Sequence, residues 1–330
     1  MPGSVKSAVR RARRMLIYGL KRLGLAVLIV STAMLMLFAM IYVVPGDPAS
    51  IALGPRATPE MIESLRQRMG LDQPIWAQFW NFYSRAWMGD LGVEVLSNRP
   101  VLDVVTEQLP FTLALIAGGM IWSVGLGIPL GCFAAVRRGS LADRIVGVLS
   151  VALIAVPSFV VAIYALLIFA VALRWLPAIG AGEPGNIGAQ LRHLILPSLA
   201  VGLGWVGYIA RMVRASMLEV LESSHIRTAR AFGLPERQIT YGYALGIAIL
   251  PTVTLLGVGI GQMLSSAVFA EIVFARPGIG KLVYDAILTR NYPVVTGAVL
   301  CTTVFFVLVN LVADLLIGAL DPRVRSSLVT

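Results

Sequence analysis

The chain has 330 residues, 58% of them hydrophobic and 13% charged. Soluble domains carry about 25% charged residues, so this composition excludes an ordinary water-soluble enzyme. The 27 basic and 17 acidic residues are clustered, and the runs between them reach the roughly 20 apolar residues that cross a hydrocarbon core as a helix. The pattern is that of an all-α polytopic membrane protein.

A basic tail, 1–22, precedes the first apolar run, 23–44. That run is too long for the apolar part of a secretory signal, and Ile41-Tyr42-Val43-Val44-Pro45 offers no small-residue cleavage site. It reads as a retained span. Residues 45–108 then exceed a simple connection. Thr58-Pro59 starts a helix that Gly70 stops, with Met61, Ile62, Leu65 and Met69 as its apolar stripe. A second helix runs from Pro74 to about Met88 and carries Trp76, Trp80 and Trp87 beside Phe79, Phe82 and Tyr83. These rings fit equally a helix lying in the outer headgroup layer and the core of a small external subdomain.

Five more runs predict spans at 109–136, 145–173, 194–213, 243–269 and 294–320. The third span overall is long and contains Pro157, which predicts tilt, a kink or interfacial ends. Between the fourth and fifth lies a basic segment, 214–242, and after the sixth a short tail, 321–330.

Lys and Arg set the orientation. The tail, the segment after span two, the segment from the end of span four and the C-terminal tail hold 17 basic residues against 10 on the other side. Both termini are therefore expected in the cytoplasm. The net charge of +10 is mostly this bias, and nucleic-acid binding is not needed to explain it.

Several patterns carry no chemistry. Gly202-Leu203-Gly204-Trp205-Val206-Gly207 fits a dinucleotide fingerprint, but it lies inside a span rather than between a strand and a helix. Gly278-Ile279-Gly280-Lys281-Leu282 lacks the spacing and the Ser/Thr of a P-loop. Cys132 and Cys301 sit in apolar runs and imply no disulfide framework. His193 and His225 lack zinc-ligand spacing, and no nucleophile–base set is visible. The pairs Gly127/Gly131 and Gly257/Gly261 have the small-xxx-small spacing of close helix packing. Gln262, Asn310 and Asp314 are the intramembrane polar candidates. One carboxylate without a second or a histidine makes a poor proton relay, so interhelical hydrogen bonding is the better reading.

The most informative segment is Ser223-Ser224-His225-Ile226-Arg227-Thr228-Ala229-Arg230-Ala231-Phe232-Gly233-Leu234-Pro235. Ser223 or Ser224 can cap a two-turn helix, Gly233 can take the left-handed position that ends it, and Pro235 prevents continuation. A short rigid basic helix of this kind suits a groove in another protein. Adsorption on anionic lipid is the alternative.

Thr228-Ala229-x-x-x-Gly233 resembles the EAA coupling loop of ABC-importer permeases. Arg227 to Leu234 (Arg227, Thr228, Ala229, Arg230, Ala231, Phe232, Gly233, Leu234) resembles the form found in the dipeptide/oligopeptide/nickel permease family. Further blocks agree: Pro45-Gly46-Asp47-Pro48, Leu71-Asp72-Gln73-Pro74 and Arg276-Pro277-Gly278-Ile279-Gly280. The last runs from Tyr292-Pro293-Val294-Val295 through Val309-Asn310-Leu311 to Leu320-Asp321-Pro322-Arg323. The family order is kept from Val44 to Arg325. Phe232 stands where Lys is common, and Tyr241 to Ile247 lacks the usual basic and His residues.

The resemblance implies a type I ABC importer permease of the MetI-like fold, with six spans, a transmembrane domain over 109–320 and an extended first extracytoplasmic loop. That loop places it with the first of two permease subunits. The expected partners are a second, homologous permease in a heterodimer, two cytoplasmic ATPases carrying ATP and Mg, and an extracytoplasmic substrate-binding protein, in a bacterial or archaeal inner membrane. Neither cofactor nor metal is expected on this chain. Di- or oligopeptides are the expected cargo, with nickel complexes, glutathione and oligosaccharides as alternatives. A lone proton-coupled transporter would need paired intramembrane titratable groups, and the sequence has none.

Overall fold

The structure is a computed structural model that describes residues 2–43, 50, 57–68, 70–95 and 97–320. It contains α1 (Pro2–Val43), α2 (Pro59–Arg68), α3 (Ile75–Trp87), α4 (Val101–Val136), α5 (Leu141–Ala155) and α6 (Ser158–Ala165, continued by π-helical Leu166–Ala172). After these come α7 (Ile187–Leu221), α8 (Ser224–Ala231), α9 (Glu236–Gln238, continued by π-helical Ile239–Ala244), α10 (Leu245–Ala248), α11 (Leu250–Val273), α12 (Ile279–Leu288) and α13 (Tyr292–Leu320). Among the described residues, five helices are long and apolar enough to cross a membrane, or six if the bent α5–α6 pair is one span.

That bend has a local cause. Pro157 clashes with a helical conformation of the residue before it, and Val156 accordingly turns extended at φ −82°, ψ 121°. Pro157 itself, at φ −59°, opens α6. The two pieces meet at 99°.

The chain divides into two compact units. The first is drawn from Met1–Pro110 and Lys281–Gly318. Its core joins Val30, Met34 and Leu37 of α1 to Leu300 and Val307 of α13, with Phe82, Tyr83, Ala86 and Leu91 packed against them. Phe38 meets Phe79 edge-on at 5.3 Å and stacks on Phe82 at 6.1 Å. The aromatic helix α3 therefore packs Phe79, Phe82 and Tyr83 against α1 and leaves Trp76, Trp80 and Trp87 exposed.

The second unit, from Phe111–Gly280, is organised around α7. The glycines of the discarded dinucleotide pattern explain how. A Cβ on Gly202 would stand 2.3 Å from the Gly119 oxygen of α4, and one on Gly207 would stand 2.4 Å from the Ser150 oxygen of α5. Gly127 and Gly131 do the same from α4, facing Ile209 and the Ala210 oxygen. Absent side chains let three backbones touch, which is how spans pack without a hydrophobic driving force. Ser123 seals the crossing, its hydroxyl 2.7 Å from Gly119 O and 2.9 Å from Gly202 O.

Candidate functional site

Helix α8 starts where the sequence places it. Ser223 is the cap by backbone geometry, at φ −69°, ψ 157°, yet its side chain caps nothing and its hydroxyl donates to the Val220 carbonyl. At the other end Gly233 sits at φ +76°. Its N–H donates to Arg230 O at 2.9 Å, and the Leu234 N–H donates to Ala229 O at 3.3 Å. A residue with a Cβ is strained in that conformation.

The helix has an inner and an outer face. Ile226 and Ala229 are buried with Ile209, Val213 and Met217 of α7 and with Ile239, Ala244 and Ala248, while Leu234 is half-buried against the same cluster. Arg227, Thr228, Arg230, Ala231 and Gly233 are exposed, and Phe232 is 82% exposed. Arg230 Nε donates to Glu236 Oε1 at 2.7 Å, and this guanidinium holds the Glu236 carboxyl below the usual carboxylate range. The clasp ties α8 to the ramp that leads into α11.

A second constellation surrounds the Arg276-Pro277-Gly278-Ile279-Gly280 block. Glu271, fully buried on α11, accepts a hydrogen bond from Thr112 Oγ1 at 2.6 Å. The same hydroxyl accepts from the Ile279 N–H at 2.9 Å. Thr112 thus relays the carboxylate to the start of α12, a helix end that favours negative charge. Gly278 and Gly280 are glycine because the carboxylate and Val268 occupy the space a Cβ would take, at 2.1 Å and 2.6 Å respectively. Arg276, 3% exposed, lies over the Phe111 ring at 5.9 Å.

The remaining candidates do not converge. Gln262 is exposed on α11. Asn310 donates to the Phe306 carbonyl of its own helix at 2.8 Å. The side chain of Asp314 and the block Pro45, Gly46, Asp47 and Pro48 lie outside the described residues. Sequence reasoning missed Glu271 and Thr112 altogether. The available signal was one carboxylate closing an apolar run five residues before Arg276. Among the described residues no group of three or more His, Cys, Asp or Glu is placed to hold a metal.

Helices of spanning length, joined at a glycine-rich crossing and carrying a short displayed helix, define a polytopic membrane protein. The family model for the inner membrane component of binding-protein-dependent transport systems matches residues 127–326, and the model of the N-terminal part of such components matches 15–116; the chain belongs to this family. The glutathione transport system permease protein GsiC of Escherichia coli (strain K12) is 37% identical over 311 residues, which cover 94% of this chain and 99% of that protein. GsiC of Shigella flexneri serotype 5b (strain 8401) matches to the same extent. A solved chain of the inward-facing MetNI methionine ABC transporter has a TM-score of 0.53 at 19% identity, over 66% of this chain and 95% of that one. That likeness establishes the MetI-like fold. The chain is an ABC importer permease of several spans in an inner membrane, a transporter subunit and not an enzyme. Membership also implies a substrate-binding protein and an ATPase as partners.

Proposed function

We propose that this chain forms half of a translocation pathway with a second, homologous permease, and that α8 through Leu234 is the segment on which a cytoplasmic ATPase docks. Both termini lie in the cytoplasm, two ATPases supply ATP and Mg, and a binding protein delivers solute from the other side. The carrying observation is the two-faced α8: Ile226 and Ala229 fix it to the bundle, while Arg227, Arg230 and Phe232 point away. A helix held on one side and ended by the left-handed Gly233 moves as a body with α7 and the ramp to α11. Force from a docked partner is thereby passed to the spans.

The cargo we assign is a short peptide or peptide-like solute. The relatives at 37% identity are permeases of glutathione, itself a tripeptide, and the chain's own motifs resemble the peptide-permease branch. The test is a single cysteine at Phe232 in a chain lacking Cys132 and Cys301, assembled with the second permease and the ATPases. Cross-linking from this position should capture the ATPase, with an efficiency that changes when nucleotide binds. Capture of lipid alone, unaffected by nucleotide, would contradict the assignment.

A further inference from the structure

The helices around α7 expose faces of opposite character. Along α4, Ala117, Ile121, Gly125, Pro129 and Phe133 are exposed as one apolar stripe at every fourth position. Along α11 the exposed stripe is Val258, Gln262, Ser265 and Phe269, and its middle is polar. On α7, Tyr208 and Arg211 are exposed.

The stripes of α7 and α11 lie on one side of that helix pair. A Cβ on Gly259 would stand 3.0 Å from the Trp205 ring, and Tyr208, one turn on, tilts against the same ring at 5.2 Å. Phe274, further along α11, packs with Leu196 and Ala200, so the two helices run antiparallel. Helix α4 covers one side of the pair. It meets Gly202 and Ile209 of α7, and it meets Glu271 and Met263 of α11 through Thr112, Leu115 and Ile116. At about 100° per residue, Tyr208 and Arg211 point away from the α4 side of α7. Val258, Gln262 and Ser265 likewise point away from the α4 side of α11. Phe159 of α6 borders the shared face, its ring 6.0 Å from Phe269.

This face is polar where it lies deep. Trp205 stands at the middle of the 35-residue α7, and Gly259 near that of the 24-residue α11. Tyr208 and Gln262, one turn from that contact, are therefore well inside the helices. Among the described residues, none hydrogen-bonds to the side chains of Tyr208, Gln262 or Ser265, and none forms an ion pair with Arg211. Arg214, one turn beyond, is by contrast gripped by Asp143. Polar side chains inside a span face a bundle interior or a water-filled cavity rather than lipid.

We propose that this face is the chain's wall of the solute pathway, and that Arg211 is its contact for the carboxylate of a short peptide. The proposal rests on the transport role given above and names the residues that meet the cargo. Gln262, Ser265 and Tyr208 offer donors and acceptors to peptide amides. Arg211 offers a planar pair of donors to a terminal carboxylate, and the stripes hold no carboxylate of their own to compete for it.

Gln262→Cys, Ser265→Cys and, on the apolar stripe of α4, Ile121→Cys are made singly in a chain lacking Cys132 and Cys301. Each is assembled with the second permease, the ATPases and the binding protein in proteoliposomes. A hydrophilic methanethiosulfonate supplied on both sides should modify positions 262 and 265, at a rate that changes when vanadate traps the nucleotide, and should leave 121 unmodified. Protection of 262 and 265 in both nucleotide states would put lipid or protein over the face and overturn the proposal, as would equal reaction at all three positions. Capture of the ATPase from position 232 reads the docking role separately, so protection with capture intact would sink the pathway wall alone. Arg211→Cys should lower uptake of trialanine several-fold. Modification with an aminoethyl reagent, which returns a positive charge, should restore it, and a sulfonatoethyl reagent should not. Uptake indifferent to the charge at 211 would likewise overturn the proposal, and the labelling at 262 and 265 tests the face whether or not Arg211→Cys assembles.

Discussion

Arg214 grips Asp143 with two hydrogen bonds, Nε to Oδ1 at 2.5 Å and Nη2 to Oδ2 at 2.8 Å. The pair joins the end of α7 to the start of α5. The Asp143 carboxylate also accepts from the Gly139 N–H at 3.0 Å, while its own N–H is capped by Ser140. With Arg138 paired to Glu222 nearby, the turn after α4 is bound to the root of α8.

Removing one partner of such a pair leaves a mostly buried group unsatisfied, at a cost of about 1–3 kcal/mol. Asp143→Asn should fall at the low end of that range, because the Arg214 side chain is 34% exposed. In a double-mutant cycle with Arg214→Gln, the combined loss in thermal stability should be less than the sum of the two. Additive losses would mean the contact contributes nothing of its own.

The glycines of the buried carboxylate cluster make a sharper demand. Gly280→Ala drives a Cβ to 2.6 Å from the Val268 backbone, and overpacking of this kind costs about 1–3 kcal/mol or more. Gly278→Ala presses on the Glu271 carboxylate instead, which must then give up Thr112. Gly147, whose Cβ would meet nothing within 4 Å, should accept alanine. Thermal unfolding of the three variants in detergent should rank Gly280→Ala lowest and leave Gly147→Ala near the parent.

How far the sequence carries the fold depends on the length scale of each signal. Spans are read from runs of apolar residues, and the bend at Pro157 and the stop at Gly233 are local rules of backbone geometry, so all were visible in advance. The inner face of α8 was not. Ala229 and Leu234 pack there with Val213 and Met217, which come from a different stretch of chain. Glu271 was invisible for the same reason, since Thr112 lies 159 residues away. The discarded dinucleotide pattern shows the converse: its glycines matter, but for backbone contact between helices.

Orientation is tested by labelling. In a chain lacking Cys132 and Cys301, cysteines at Ser64 and Ser97 should react with an impermeant maleimide added outside, whereas those at Ser140 and Ser326 should not. The expectation follows from the 17-to-10 division of basic residues. The reverse pattern would turn α8 away from any cytoplasmic ATPase.

Gly233→Val separates protein docking from lipid docking. No side chain crowds Gly233, so the substitution acts only through the backbone at φ +76°, by about 1 kcal/mol or somewhat more. That is too little to prevent insertion of the spans, but enough to re-aim Phe232 and Arg230. Membrane abundance should stay normal while ATPase association or transport weakens. Adsorption to lipid would follow Arg227 and Arg230 instead, so Arg227→Ala/Arg230→Ala is the comparison. Full coupling in the glycine variant would remove the docking role.

The most direct measurement is uptake of radiolabelled short peptides, glutathione among them, into proteoliposomes of defined composition. The account expects none with this chain alone, whatever the proton gradient. Uptake should appear only when the second permease, the ATPases, ATP with Mg and the binding protein are all present. Proton-driven uptake by the chain alone would contradict it.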